Sequence, residues 1–139
     1  MKELADNIRY ADRLEIYRMS GVEPEPCLRR ALRISDWVQT GKINGELVCL
    51  FGVAGVSQGV GSPWMLGTDL IEHHGKTFLR ESKDVISKML GDYQHLVNFV
   101  DIENKTAIRW LEWLGFDMGE VEYSPMGFPV KRFEMKRYV

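Results

Sequence analysis

The stretch Asn104–Phe116, NKTAIRWLEWLGF, holds the residues best spaced for chemistry. It follows the strand-like run His95–Asp101, so a strand, a tight turn and a helix succeed one another and the helix start can face a ligand. Asn104 is a type that caps the first free N–H groups; Ala107, Ile108, Leu111 and Leu114 form one apolar face, and Gly115 allows a left-handed exit. A helix start of this kind favours an anion, because unpaired N–H groups and the positive dipole end converge there.

Two other groups could do chemistry. His73 and His74 beside Glu72 are metal-ligand or acid–base types. Adjacent side chains point apart and no third ligand follows at a useful spacing, so solvated loop histidines and no metal are expected. Gly75-Lys76-Thr77 has the end of a phosphate-binding P-loop, but Leu70 stands where that motif needs its first glycine, so the triplet reads as a helix start with a surface lysine. Gln58-Gly59-Val60-Gly61 precedes its strand, which would aim any phosphate donors from the wrong end.

The spacing Asn104, Ala107, Trp110, Gly115, Phe116 resembles the second acyl-CoA-binding motif of GNAT-type N-acyltransferases. Together with RYADRLEIYRMSG, INGELVCLFGVA, PWMLGTD, FLRES and FVDIENKTAIRWLEWLGF, it looks like a family of small phage proteins related to the internal virion protein of podoviruses. The likeness covers nearly the whole chain.

That resemblance implies a GNAT-like α/β (α+β) fold and acetyl-CoA or CoA as ligand. Its cofactor contacts would fall on Leu66, Gly67, Thr68, Gly75, Lys76, Asn104 and Ala107, with the pyrophosphate cradle between Gly67 and Thr77. Two departures stand out. The family's Gln/Arg-x-x-Gly-x-Gly/Ala loop is replaced by GTDLIEHHGKT, and the tyrosine seven residues after the motif asparagine is Leu111, which has no proton to donate. Tyr123 or Tyr138 could substitute as acid, and Glu81 or Asp101 as base, although a packed hydroxyl or a solvated carboxylate is the ordinary role of each. The resemblance therefore implies a catalytically degenerate phage protein with a virion or assembly role, partnered by other virion proteins. The alternative is an acetyl-CoA-dependent N-acetyltransferase acting on a small amine or protein amino group, and a third reading is an acyl-CoA or nucleotide sensor.

Bulk properties bound these readings. The 139 residues suit a single domain, and 45% hydrophobic residues suffice for one core. Eighteen basic and twenty acidic residues, a net charge of −2, provide no general pull toward nucleic acid or an anionic membrane. No signal-peptide core or membrane-spanning run is present, so a soluble protein of the host cytoplasm, incorporated in the virion under the structural reading, is expected. Cys27 and Cys49 fit neither a metal clip nor a disulfide framework.

The elements that must position these residues follow from periodicity. Residues 2–19 and Cys27–Ser35 read as helices, the first with Leu4, Ile8, Leu14, Ile16 and Met19 as its apolar positions. Trp37–Ile43 and Glu46–Val56 form a hairpin about Asn44-Gly45. Gly52, Gly55, Gly59 and Gly61 predict a bulge and a flexible crossing before a strand at Pro63–Thr68. An amphipathic helix at Lys76–Leu90, the strand His95–Asp101, the Asn104 helix and closing strands Phe116–Tyr123 and Lys131–Tyr138 complete a mixed, largely antiparallel sheet. Little room remains for the family's first strand. Trp37 and Trp64 are expected in the core, Trp110 and Trp113 with Arg109 could present an aromatic-basic face, and Arg80 could pair with Asp101.

Overall fold

The computed structural model describes residues 8–137. Residues 2–7 of the expected first helix, the end of the expected last strand and the candidate acid Tyr138 therefore lie outside the described residues. The elements are α1 (Tyr10–Ser20), α2 (Pro24–Ile34), β1 (Trp37–Ile43), β2 (Glu46–Ser57), β3 (Val60–Gly67), the single turn α3 (Leu70–His73), α4 (Gly75–Asp92), β4 (His95–Asp101), α5 (Lys105–Leu114), β5 (Asp117–Tyr123) and β6 (Pro129–Lys136). Among the described residues no strand precedes α1; Ile8 makes only a single antiparallel bridge to Thr68.

Six strands form one sheet in the order β1-β2-β3-β4-β6-β5. Every neighbouring pair is antiparallel except β3 and β4, which run parallel. The β1–β2 turn is set by Asn44 and Gly45, whose φ angles of 52° and 80° are the pair of positive values a two-residue hairpin needs.

The expected flexible crossing is instead a second tight hairpin. β2 continues to Ser57 and turns through Gly59, with the expected bulge between Gly55 and Ser57. Gly61 does not break the strand, because it makes room: a Cβ there would lie 2.6 Å from the Tyr93 ring.

The two faces of the sheet are packed differently. α4 and α5 bury Val53, Met89, Leu96, Val100, Phe116 and Phe133, with Val85, Ile86, Ala107, Ile108, Leu111 and Leu114 packed around them. The apolar face read from the Asn104 helix is therefore the one it buries. On the other face Ile8, Ile16, Leu28 and Leu50 form a smaller cluster with Cys27, Val38, Trp64 and Leu66 beneath α1 and α2. Both expected core tryptophans are partly buried: Trp37 packs on the first cluster and donates Nε1–H to Asp92, while Trp64 donates to Ser35.

Candidate functional site

The parallel pair β3 and β4 is hydrogen-bonded at its start alone, at Val60 with His95 and Gly61 with Leu96. Beyond that point the strands diverge. The Asn98 side chain bridges them once, donating Nδ2–H to the Pro63 carbonyl at 2.7 Å. Around the opening lies a cavity of about 800 Å³ that meets both layers: Ile16, Cys27 and Trp64 from one face, Phe78, Leu111 and Phe116 from the other.

The helix α1 lies across the far ends of the two strands. Arg9, Asp12, Glu15 and Arg18 recur every three residues, so they form one stripe of the helix, and that stripe faces inward. Asp12 accepts the backbone N–H of Gly67 at the end of β3 at 2.9 Å. Glu15 accepts the N–H of Asp101 at the end of β4 at 2.8 Å. Arg18 pairs through Nε with the Asp101 carboxylate at 2.5 Å and stacks on Phe128. Arg9 is 3% exposed and donates to Asp12, Glu72 and the Asn104 side-chain carbonyl at 2.7–2.9 Å, with its guanidinium over Trp110. α1 ends where Gly21 turns left-handed, and Ser124 donates to the Arg18 carbonyl, fixing the helix to the β5–β6 turn.

Asn104 is the hub of this network. It is 4% exposed, and its Nδ2 donates to Glu15 at 2.8 Å and to Asp12 at 3.3 Å. The side-chain cap expected on α5 is therefore not formed. The charged guanidinium of Arg9, just before α1, competes better for its oxygen than neutral backbone N–H groups.

The electrostatics follow from the burial of so many charges. Burial works against the Arg9 charge, but Asp12 and Glu72 outweigh it and raise its pKa. Burial pushes the Glu15 carboxyl up to about 7, against the lowering effect of the hydrogen bonds from Asp101 and Asn104; the charges of Asp12 and Asp101 add to the rise. Arg9 Nε is buried without a hydrogen-bond partner among the described residues.

The residues expected from sequence are distributed as follows. Leu66, Asn104, Ala107 and Glu81 line the cavity, with Glu81 exposed on α4. Gly67 and Thr68 lie at the end of β3, where Thr68 N–H is bound to the Val48 carbonyl. Gly75 and Lys76 open α4, and Lys76 lies in a separate groove of about 350 Å³ with Leu79, Arg80, Lys83 and Trp113. Asp101 is 2% exposed with both carboxylate oxygens engaged, one by Arg18 and one by the N–H of Glu103. Its partner is thus Arg18 and not Arg80, because α1 covers this end of β4. Tyr123 is 73% exposed at the end of β5 and does not line the cavity. Of the helix tryptophans, Trp110 packs with its ring tilted against Phe78, centroids 4.8 Å apart, and Trp113 is 53% exposed under Lys83. Among the described residues no three His, Cys, Asp or Glu side chains gather as metal ligands.

The stripe on α1 was missed because charges on a helix are ordinarily its solvated face. Their spacing of three was the available signal.

No family model and no curated protein matches the sequence. Solved structures do match the fold. The aminoglycoside acetyltransferase AAC(6')-Ib in complex with coenzyme A superposes with a TM-score of 0.70 at 16% identity, over 98% of this chain and 88% of that one. A Bacillus subtilis acetyltransferase in complex with CoA gives 0.70 at 10% identity, over 99% and 93%. A GNAT family acetyltransferase from Elizabethkingia anophelis with acetyl-CoA bound gives 0.64 at 13% identity, over 95% and 99%. At such identities the likeness is one of architecture: six mostly antiparallel strands, one diverging parallel pair and flanking helices make this the fold of the GNAT acetyltransferases.

Proposed function

We propose that this chain keeps the GNAT fold without acyl transfer and serves as a component of a phage particle or of its assembly. The observation that carries the first half is the occupation of the strand ends by α1. Two of the groups the acyltransferase resemblance would give to a cofactor, Gly67 N–H and the Asn104 amide, are held by Asp12, Arg9 and Glu15. The Asp12 carboxylate at Gly67 opposes a pyrophosphate there by like charge. Gly67 and Asn104, as arranged, are not free to hold CoA. Leu111, in the position of the family's proton-donating tyrosine, packs into the apolar core. The phage half rests on the sequence resemblance.

The test has two arms. A ligand at about 100 times its dissociation constant stabilises a protein by roughly 2.7 kcal/mol. Millimolar CoA and acetyl-CoA are expected to leave the melting temperature unchanged, and no thiol release is expected with a panel of amines. A shift abolished by Asn104→Ala would overturn the reading of a closed CoA site, and thiol release with an amine would then separate catalysis from sensing. For the assembly role, the protein should co-purify with mature particles or with a morphogenesis intermediate; its absence from both sinks that role.

One observation favours the alternative, an N-acetyltransferase for a small amine or protein amino group. The cavity reaches both faces of the sheet, and Glu15 on its wall has a carboxyl poised near neutrality to take a proton from an ammonium group. Thiol release that is lost in Glu15→Gln would select this reading.

A further inference from the structure

We propose that α1 is a proton-operated clasp: its inward stripe holds the diverging ends of β3 and β4 together, and ionisation of Glu15 releases the helix from the sheet and opens the cavity beneath it. This stands apart from the assembly reading, since it requires neither a cofactor nor a partner.

The case begins with what attaches α1. Of its own side chains, Asp12 and Ile16 are the buried ones, so one apolar anchor accompanies the stripe. The remaining attachments are directional polar bonds to Gly67 on β3, Asp101 on β4 and Asn104 at the start of α5. Each of these lies more than 50 residues away in sequence, so they exist only while the helix is seated. α4, by contrast, is held to the sheet by Val85, Ile86, Met89 and Leu90.

Glu15 is the element of the stripe that proton uptake can change near neutral pH. Around it lie Asp12 and Arg18 on its own helix, Asp101 on β4, Asn104 on α5, and Arg9 with Glu72 of α3 behind Asp12. Two arginines thus meet three carboxylates before Glu15 is counted, and an ionised Glu15 is the fourth. A protonated Glu15 still accepts from Asp101 N–H while adding no negative charge. With α1 released, Glu15 meets water and ionises at the ordinary value of 4.5; seated, it ionises at about 7. The folded value is the raised one. The seated state is therefore favoured fully below about pH 4.5, and that advantage is lost as pH rises through 7, with no further change above.

The two cysteines report on opposite faces. Cys27 packs under α1, and Cys49 is 5% exposed beneath α4 with Ile71 and Phe78. Both thiols line the cavity, but Cys27 packs on the cluster that Ile16 of α1 completes and loses that cover when α1 leaves, whereas Cys49 keeps the cover of Ile71 and Phe78 until global unfolding.

The experiment measures modification of each thiol by 4,4′-dithiodipyridine, resolved by peptide mass spectrometry and divided by its rate in the urea-unfolded chain at the same pH. The division removes the ordinary thiolate dependence. Between pH 5.5 and 7.5 the Cys27 ratio should rise on the order of tenfold while that of Cys49 stays level. Glu15→Gln should hold the Cys27 ratio flat. A parallel rise at both thiols, no rise at Cys27, or a wild-type profile in Glu15→Gln overturns the clasp. Should that variant fail to fold, hydrogen exchange of the wild-type chain decides. The α1 amides must lose protection relative to those of β2 as pH rises, beyond the common base-catalysed increase, and equal loss overturns the proposal.

Discussion

One face of this sheet is held by packing and the other by polar bonds. Under α4 and α5 the contacts are made by Leu96, Val53, Met89, Val100, Phe116 and Phe133, side chains with no charge to lose. Under α1 they are made by a stripe of two arginines and two carboxylates with a smaller apolar cluster beside it. Apolar burial is non-directional and indifferent to pH, while a buried ionic network fixes geometry at little net gain and collapses when one member is removed. The difference assigns stability to one layer and position to the other. It also explains how a fold shared with acyltransferases can survive with its strand ends closed.

The sharpest way to break the contrast is Asp12→Ala. It removes a Coulombic partner of the buried Arg9 and the acceptor of Gly67 N–H in one step. Removing one member of a buried pair costs about 3–5 kcal/mol. The expected result is a loss of about 4 kcal/mol in urea unfolding, with Asp12→Asn recovering part of it because an amide oxygen can still accept from Gly67. A loss below about 1 kcal/mol would mean that the Arg9–Asp12–Gly67 contacts contribute little to the folded state. On the other face Leu96→Ala, at a fully buried position, should cost about 3 kcal/mol through lost burial and the cavity left behind. That cost should be equal at pH 5 and pH 8. A pH-dependent cost there would erase the distinction between the two layers.

The same division decides what could be read from the sequence. The α5 segment was legible because its information is local: Ala107, Ile108, Leu111 and Leu114 repeat at helical spacing, and Gly115 has the φ of 100° that its residue type allows. Asn44-Gly45 was legible for the same reason. The mixed, largely antiparallel sheet followed from the order of such elements. The β2–β3 hairpin was not, since Gly61 looks like a breaker until Tyr93, more than thirty residues on, fills the space above it. The α1 stripe was hidden more deeply. Leu14, Ile16 and Met19 suggested an apolar inward face, yet only Ile16 of these is buried, because the polar stripe beside it takes its partners from β3, β4 and α5. Asn104 was read as a cap for its own helix, a local role, and serves a distant one. Glu15 could not be singled out among twenty acidic residues without the strands that bury it.

The pH dependence of folding sharpens the comparison further. Because the folded-state pKa of Glu15, about 7, lies above its ordinary 4.5, the folded chain binds a proton that the unfolded chain has released between those values. Its contribution to stability is present below about pH 4.5 and is lost as pH rises through 7. Allowing for partial exposure of the residue, the loss between pH 5 and pH 8 is about 2 kcal/mol. Urea midpoints measured across that range should fall for the wild type and fall less for Glu15→Gln. Identical slopes would show that the network bears its charges without strain.

The smallest effect is expected at Trp113, and it tests the comparison from outside. This indole lies on α5, whose inner face belongs to the packed layer, but it is 53% exposed and meets a lysine, Lys83, over its ring. If the packed layer owes its stability to burial, a half-exposed aromatic belongs to neither regime. An exposed cation–π contact is worth about 0.5–1 kcal/mol, and replacing the bulky ring in an exposed helix with alanine returns some helix propensity. Trp113→Ala should therefore change the unfolding free energy by less than about 1 kcal/mol, at any pH between 5 and 8. A loss approaching that of Leu96→Ala would require the groove of Lys76, Arg80 and Lys83 to act as a third structural layer, with Trp113 as its core.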